Sequence, residues 1–227
     1  MLAVLFVGPI APATQVSLPV VLAKAEVAFL SDYALAKEQS AKTGKPIFLD
    51  AYTTWCAPCK RMEKEVFSSP SIKQVLESKF IPLRLDMEKE PGKSLATRYS
   101  IGLYPTLLIL KDERELHRVS GFLDVRDLTA FAKTSLDPTT QWYALDQKYQ
   151  KGDRSPDLLQ QLLAYGRRTN IPAYESYILS HLESSNSWQT FKGQELILRG
   201  IQTVKTPLFD SLVAQQPDLS KRFGAPA

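Results

Sequence analysis

The sequence predicts an α/β domain, a mixed central sheet flanked by helices, over residues 26–137, followed by a small all-α segment over 138–227. Three observations carry this reading. Apolar runs of strand length alternate with amphipathic helical stretches as far as Asp137-Pro138. Beyond that break no strand pattern survives. The only two cysteines, Cys56 and Cys59, stand three positions apart, where an apolar run hands over to a helix.

The elements follow in order. Val27, Leu30 and Ala34 share one side of a helical pattern from Glu26 to Thr43, with Gly44 as its stop. Pro46 to Tyr52 is a nearly continuous apolar run, as expected of a strand buried on both faces. A helix opens at the cysteines and carries Met62, Val66 and Phe67 inward. Ser69-Pro70 reads as an N-cap followed by Pro at the first helical position, opening a helix to about Lys79. Phe80 to Asp86 is a second strand, in which Pro82 needs a position with no ladder donor. Pro91 to Tyr99 is a short helix. Thr106–Leu110 and Leu116–Val119 are strands joined by a tight polar turn, and Asp124 caps a helix from Val125 to Ser135. After Pro138, helices are expected at Trp142–Gln150, Pro156–Arg168, Pro172–Leu182 and Trp188–Ile201, with a short one from Thr206.

Charge narrows the function. The net charge is +4, and Lys plus Arg exceed Asp plus Glu by only two on each side of Pro138. Without a basic run or face, nucleic-acid binding has no support. Two cysteines cannot staple a disulfide scaffold, so any sulfur chemistry lies between these two.

The first 23 residues carry no charged side chain, and Leu2–Ile10 is an apolar run too short to span a bilayer. Ala11-Pro12-Ala13 and Ala23-Lys24-Ala25 both fit a small-residue cleavage pattern. Residues 1–25 therefore read as a secretory signal, although no Lys or Arg precedes Lys24 to supply the usual positive start. An unstructured N-terminal tail is the plainer alternative.

At a helix N-terminus, free N–H groups and the macrodipole favour an anion, which lowers the proton affinity of a thiol there. Cys56 is expected at the exposed end, with Cys59 one turn in, shielded but within disulfide reach. That division suits dithiol exchange: one thiolate attacks a disulfide and its neighbour resolves the product. Half of a zinc site is the competing reading of C-x-x-C. It needs two more ligands, and His117 and His181 are singletons without ligand spacing. His117 is expected on the exposed side of its strand, and His181 on a helix surface.

Phe48-Leu-Asp-Ala-Tyr-Thr-Thr-Trp-Cys-Ala-Pro-Cys-Lys60 resembles the active-site segment of the thioredoxin family. Tyr104-Pro105-Thr106 and the run after it resemble that family's cis-proline loop and following strand. Lys60 to Phe67 is similar to the subgroup that includes the C-terminal domain of the disulfide reductase DsbD. The resemblance implies a thioredoxin fold and assigns roles. Cys56 is the nucleophile and Cys59 the resolving partner. Asp50, six residues before Cys56, is the buried acid that moves protons to and from the resolving cysteine. Pro105 holds a cis bond beside the sulfurs and offers a backbone edge to substrate. Trp55 and Tyr104 shape the contact surface, and Gly121 matches a glycine beside the site. Ala57-Pro58 replaces the usual Gly-Pro, and Pro82 stands where many thioredoxins carry a lysine near the acid.

The C-terminal segment resembles a helical extension of some thioredoxin-like envelope proteins of Bacteroidetes-type bacteria. Its aromatics Trp142, Tyr143, Tyr165, Tyr174, Tyr177, Trp188 and Phe191 read as the core of a helical bundle, with a protein-binding groove as the alternative. The resemblance implies a cell-envelope thiol–disulfide oxidoreductase, acting as a reductant, with no metal or organic cofactor. Its partners would be protein disulfides or dithiols and an upstream redox protein, a membrane-embedded one included. The rivals are a non-catalytic scaffold, or an oxidase or isomerase using the same pair.

Overall fold

The computed structural model describes residues 26–166, 169, 171, 173–186, 208, 210, 211 and 214. The signal-like segment and the helices expected at Trp188–Ile201 and from Thr206 fall wholly or mainly outside these residues.

The elements run α1 Tyr33–Thr43, β1 Ile47–Tyr52, α2 Ala57–Glu65, α3 Pro70–Lys79, β2 Ile81–Asp86, α4 Gly92–Arg98, β3 Thr106–Lys111, β4 Arg114–Ser120 and α5 Val125–Leu136. Three helices follow, α6 Trp142–Gln150, α7 Pro156–Gly166 and α8 Tyr174–Ser185. The strands lie in the order β2-β1-β3-β4, with β1 parallel to β2 and antiparallel to β3, and β3 antiparallel to β4. The expected mixed sheet, its covering helices and the helical segment are all present.

The expected helix from Glu26 begins only at Tyr33. Asp32 caps it by accepting from the N–H groups of Ala34 and Leu35. Residues before Asp32 run alongside β2 instead: Leu30 N–H donates to Pro82 O and Arg84 N–H to Leu30 O, each at 2.9 Å. The spacing of Val27 and Leu30 is equally served by an extended segment, in which Val27 and Phe29 meet one core layer and Leu30 the other. This pairing also explains Pro82. Ile81 N–H points to β1, through Pro46 O, so the alternating Pro82 position points away from β1 and needs no donor there.

Strand alternation divides the core. Ile47, Leu49, Ala51, Ile81, Leu83 and Leu85 face α1 and α4. Phe48 faces the opposite layer, with Met62, Val66 and Phe67 at the end of α2, Ile72 and Leu76 of α3, and Leu128 and Phe131 of α5. Burying each such side chain contributes about 1.5–3 kcal/mol.

The helical segment has its own apolar cluster, built on Leu145, Tyr149, Leu159, Leu162, Tyr177, Ile178 and Leu182. Tyr149, Tyr174 and Tyr177 are core residues of it, with Trp142 and Tyr165 packed on its border. The bundle reading therefore holds for Trp142, Tyr165, Tyr174 and Tyr177, whereas Tyr143 is half-buried outside the cluster, and Trp188 and Phe191 lie outside the described residues. The bundle sits against β4. Trp142 N–H donates to His117 Nδ1 at 3.1 Å, and Tyr165 rings with both His117 and Trp142.

That contact corrects the expectation for His117. It is 5 % exposed, stacked on Phe131 at 5.3 Å, rather than solvated. Two causes combine: α6 and α7 cover the outer side of β4, and the register slips between Ile109 and Leu110, leaving Leu116 as an extra residue that breaks the alternation.

Candidate active site

β1 delivers the chain to the sheet's end, and α2 starts immediately after a short turn, with Cys56 as its N-cap and Pro58 within its first turn. Cys56 Sγ accepts the Cys59 N–H at 3.1 Å, and the two sulfurs are joined as a disulfide with Cα atoms 5.3 Å apart. The expected contrast between an exposed Cys56 and a shielded Cys59 is absent in this oxidised state. Cys56 is 3 % exposed and Cys59 2 %, because the Cys56 sulfur is turned inward onto the first helical turn.

The exposed apolar surface beside the pair comes from its neighbours. Trp55 is 65 % exposed and Leu103 51 %. The Trp55 ring meets Tyr104 edge-on at 6.0 Å, and its Nε1–H donates to Glu88 Oε1 at 2.9 Å. Glu88, in the turn after β2, was not foreseen. The Tyr104–Pro105 bond is cis, as the resemblance implies, and Pro105 O accepts from Gly121 N–H at 2.8 Å. Gly121 thus lies beside the proline loop, in a left-handed conformation that glycine adopts without strain. A second cis bond, Glu90–Pro91, had no sequence signal.

Asp50 shares the α2-facing side of β1 with Phe48 and is 1 % exposed. Its cross-strand partner is Arg84 on β2. Arg84 Nε lies 3.0 Å from Asp50 Oδ2, close enough to pair but outside hydrogen-bond geometry, so both carboxylate oxygens are buried without a hydrogen bond. Burial pushes the Asp50 carboxyl up to about 7; Arg84 opposes this and the Glu63 charge adds to it. Arg84 in turn holds Glu63 of α2, Nη1 to Oε1 at 2.8 Å and Nη2 to Oε2 at 3.1 Å. The sequence position expected to lack a cation, Pro82, therefore has one two residues further along the same strand face. Nothing in the linear sequence ties residues 50 and 84 together; only the parallel register does.

Neither histidine joins the cysteines. Burial alone holds His117 down to about 4, while His181 lies on α8, half-buried. Among the described residues no group of three or more His, Cys, Asp or Glu side chains is placed to hold a metal ion.

A thioredoxin-like family model matches residues 28–111. A thioredoxin-like protein of Synechocystis is 33 % identical over 98 residues, covering 42 % of this chain and 86 % of that protein. The chain belongs to the thioredoxin-like family. The thiol:disulfide interchange protein DsbD of Klebsiella pneumoniae is 34 % identical over 104 residues, 44 % of this chain but only 17 % of DsbD. The solution structure of a Bacteroides thetaiotaomicron protein overlaps 49 % of this chain and 94 % of its own, at 33 % identity and a TM-score of 0.45. The residues matched by the family model, 28–111, run from the segment before α1 to the end of β3 and include the cysteine pair.

Proposed function

We propose that this chain is a thiol–disulfide oxidoreductase that exchanges electrons with protein cysteines at Cys56 and Cys59, working as a reductant in the cell envelope. The observation that carries the reading is the C-x-x-C disulfide at the N-terminus of α2 in a thioredoxin-like chain.

In the reduced form, the N-terminal N–H groups of α2 favour a Cys56 thiolate. The thiolate attacks one sulfur of a substrate disulfide, the substrate S–S bond breaks, and one substrate thiolate leaves and takes up a proton. Cys59 then gives its proton to the Asp50 carboxylate and attacks Cys56 Sγ. The mixed disulfide breaks, the Cys56–Cys59 bond closes, and the second substrate thiolate leaves and takes up a proton as Asp50 gives its own back to solvent. The substrate gains two electrons and two protons, and the dithiol loses both. An upstream dithiol restores the pair. Asp50 suits its part because a buried acid titrating at about 7 can accept and return a proton near neutrality. Trp55, Tyr104 and Pro105 form the surface on which substrate is positioned.

The charge-free residues 1–23 and the similarity to part of DsbD support an envelope location with protein partners. We read α6 to α8 as part of a helical domain over 138–227 appended to the domain over 26–137, with a partner protein as its ligand.

Replacing Cys59 with Ser tests the chemistry. The variant should accumulate mixed disulfides through Cys56, and the additional change Cys56→Ser should abolish them; partners retained without covalent adducts would instead favour a scaffold. Equilibration in thiol buffers tests the direction. A potential near −270 mV marks a reductant, whereas one near −120 mV marks an oxidant and reverses the assignment.

A further inference from the structure

Arg84 has no role in the scheme above, yet it meets both Asp50 behind the cysteine helix and Glu63 on that helix. Its backbone is pinned by the hydrogen bond to Leu30 O. Its guanidinium lies 4.5 Å from the Tyr52 ring centroid, grips Glu63 through two nitrogens and presents Nε to Asp50. Only about a sixth of the side chain is exposed, whereas Glu63 is more than half exposed. A guanidinium fixed by a bidentate partner is a defined counter-charge rather than a wandering one.

We propose that Arg84 is a positioning residue for proton transfer, its guanidinium shared between Glu63 of the cysteine helix and Asp50, so that the division of its charge between the two sets when that acid ionises. The inference rests on the function proposed above. It goes further by placing the control of Asp50 in a three-residue chain across β1, β2 and α2. When Asp50 is protonated, Glu63 holds both Nη groups of Arg84 while Nε stays turned to Asp50. When Asp50 ionises, the same guanidinium serves both carboxylates. Arg84 and Glu63 are the charged groups acting on Asp50, since its antiparallel neighbour on β3 is Leu107 and the layer above is apolar. The disulfide itself does not titrate. Removing Arg84 and removing Glu63 must therefore act in opposite directions. Loss of the cation leaves a buried carboxylate uncompensated, while loss of the Glu63 charge removes a like charge and frees Arg84 for Asp50.

The test is a 13C-carboxyl NMR titration of Asp50 in the full-length oxidised protein, assigned with Asp50→Asn. Arg84→Met should move the midpoint alkaline by at least about 1 pH unit, and Arg84→Lys should restore more than half of that displacement. Glu63→Gln should move it acid. The pH limb of the resolution step, followed in single turnover, should shift in step with the carboxyl midpoint. An unmoved midpoint in Arg84→Met overturns the proposal, as do shifts of the same sign in Arg84→Met and Glu63→Gln. A rate limb that stays put while the midpoint moves overturns the positioning role. Should Arg84→Met fail to fold, Arg84→Lys and Glu63→Gln still decide the sign. The NMR readout needs no turnover, so a wild-type protein that titrates as described but exchanges with nothing would overturn the proposed function instead.

Discussion

The Tyr165 hydroxyl of α7 accepts the backbone N–H of Arg118 on β4, the outermost strand of the sheet. An edge strand ordinarily shows such donors to solvent or to another chain. Here a side chain from the helical segment occupies one, its ring stacked on Trp142 and tilted against His117. Tyr165→Phe keeps the ring and removes only the acceptor, leaving a buried N–H unpaired. Urea unfolding should show a loss of about 1–3 kcal/mol. No change would mean that water reaches Arg118 and that the hydroxyl is dispensable.

His117 predicts an acid sensitivity at the same seam. Its folded value is about 4, and unfolding returns it to the ordinary 6.5 or so. Between those values the unfolded chain binds more protons, so stability rises with pH across the window and is lost as pH falls through it. A protonated Nδ1 also cannot accept from Trp142 N–H. The signed change in unfolding free energy from pH 4.5 to pH 7 should be more positive for the wild type than for His117→Gln, by at most about 3 kcal/mol. Parallel pH profiles would clear His117 of the effect.

Asp50 predicts the opposite slope. Its carboxyl is raised from 3.8 to about 7, so the folded protein holds the proton more tightly than the unfolded chain does. This contribution is full below pH 4 and declines as pH rises to 7. Asp50→Asn should therefore gain on the wild type across that range and level off above it, by a few kcal/mol, on the order of 4 at most. The same variant should slow resolution of the mixed disulfide, and unimpaired resolution would remove Asp50 from the mechanism.

Trp55 offers a separation of binding from folding. It is largely exposed, held by Glu88 and Tyr104, and lies outside every core cluster. Trp55→Ala should change unfolding free energy by no more than about 0.5 kcal/mol. It should nevertheless slow reduction of protein disulfides about fivefold, the effect of losing ~1 kcal/mol of contact, while sparing a small-molecule disulfide. An equal loss on both substrates would place Trp55 in the chemistry instead.

What the sequence discloses depends on the range of the interaction. β1 and β3 are legible because a nearly continuous apolar run of strand length fits a strand buried on both faces, as the first five residues of each are, and α5 because Asp124 and its apolar stripe are local signals. The cysteine pair is legible for the same reason. The segment before Asp32 misleads because three-residue spacing of apolar side chains fits a helix and a pleated segment alike. His117 misleads because its burial is imposed from residues 142 and 165. Arg84 is invisible because its partner lies 34 positions away, in a parallel register that no turn dictates.

The strict two-sided character of β1 has a further consequence. Even-numbered positions point toward the cysteine helix, and odd-numbered ones into the aliphatic layer on the other side. A slip of one residue during assembly would put Leu49 or Ala51 behind the sulfurs and push a carboxylate among Leu83, Leu95 and Leu108. Such a misthreaded chain would be heavily penalised and would lack its acid. Asp50 thus marks the register of the sheet, since the native pairing is the one that sets this buried carboxylate beside the Arg84 cation.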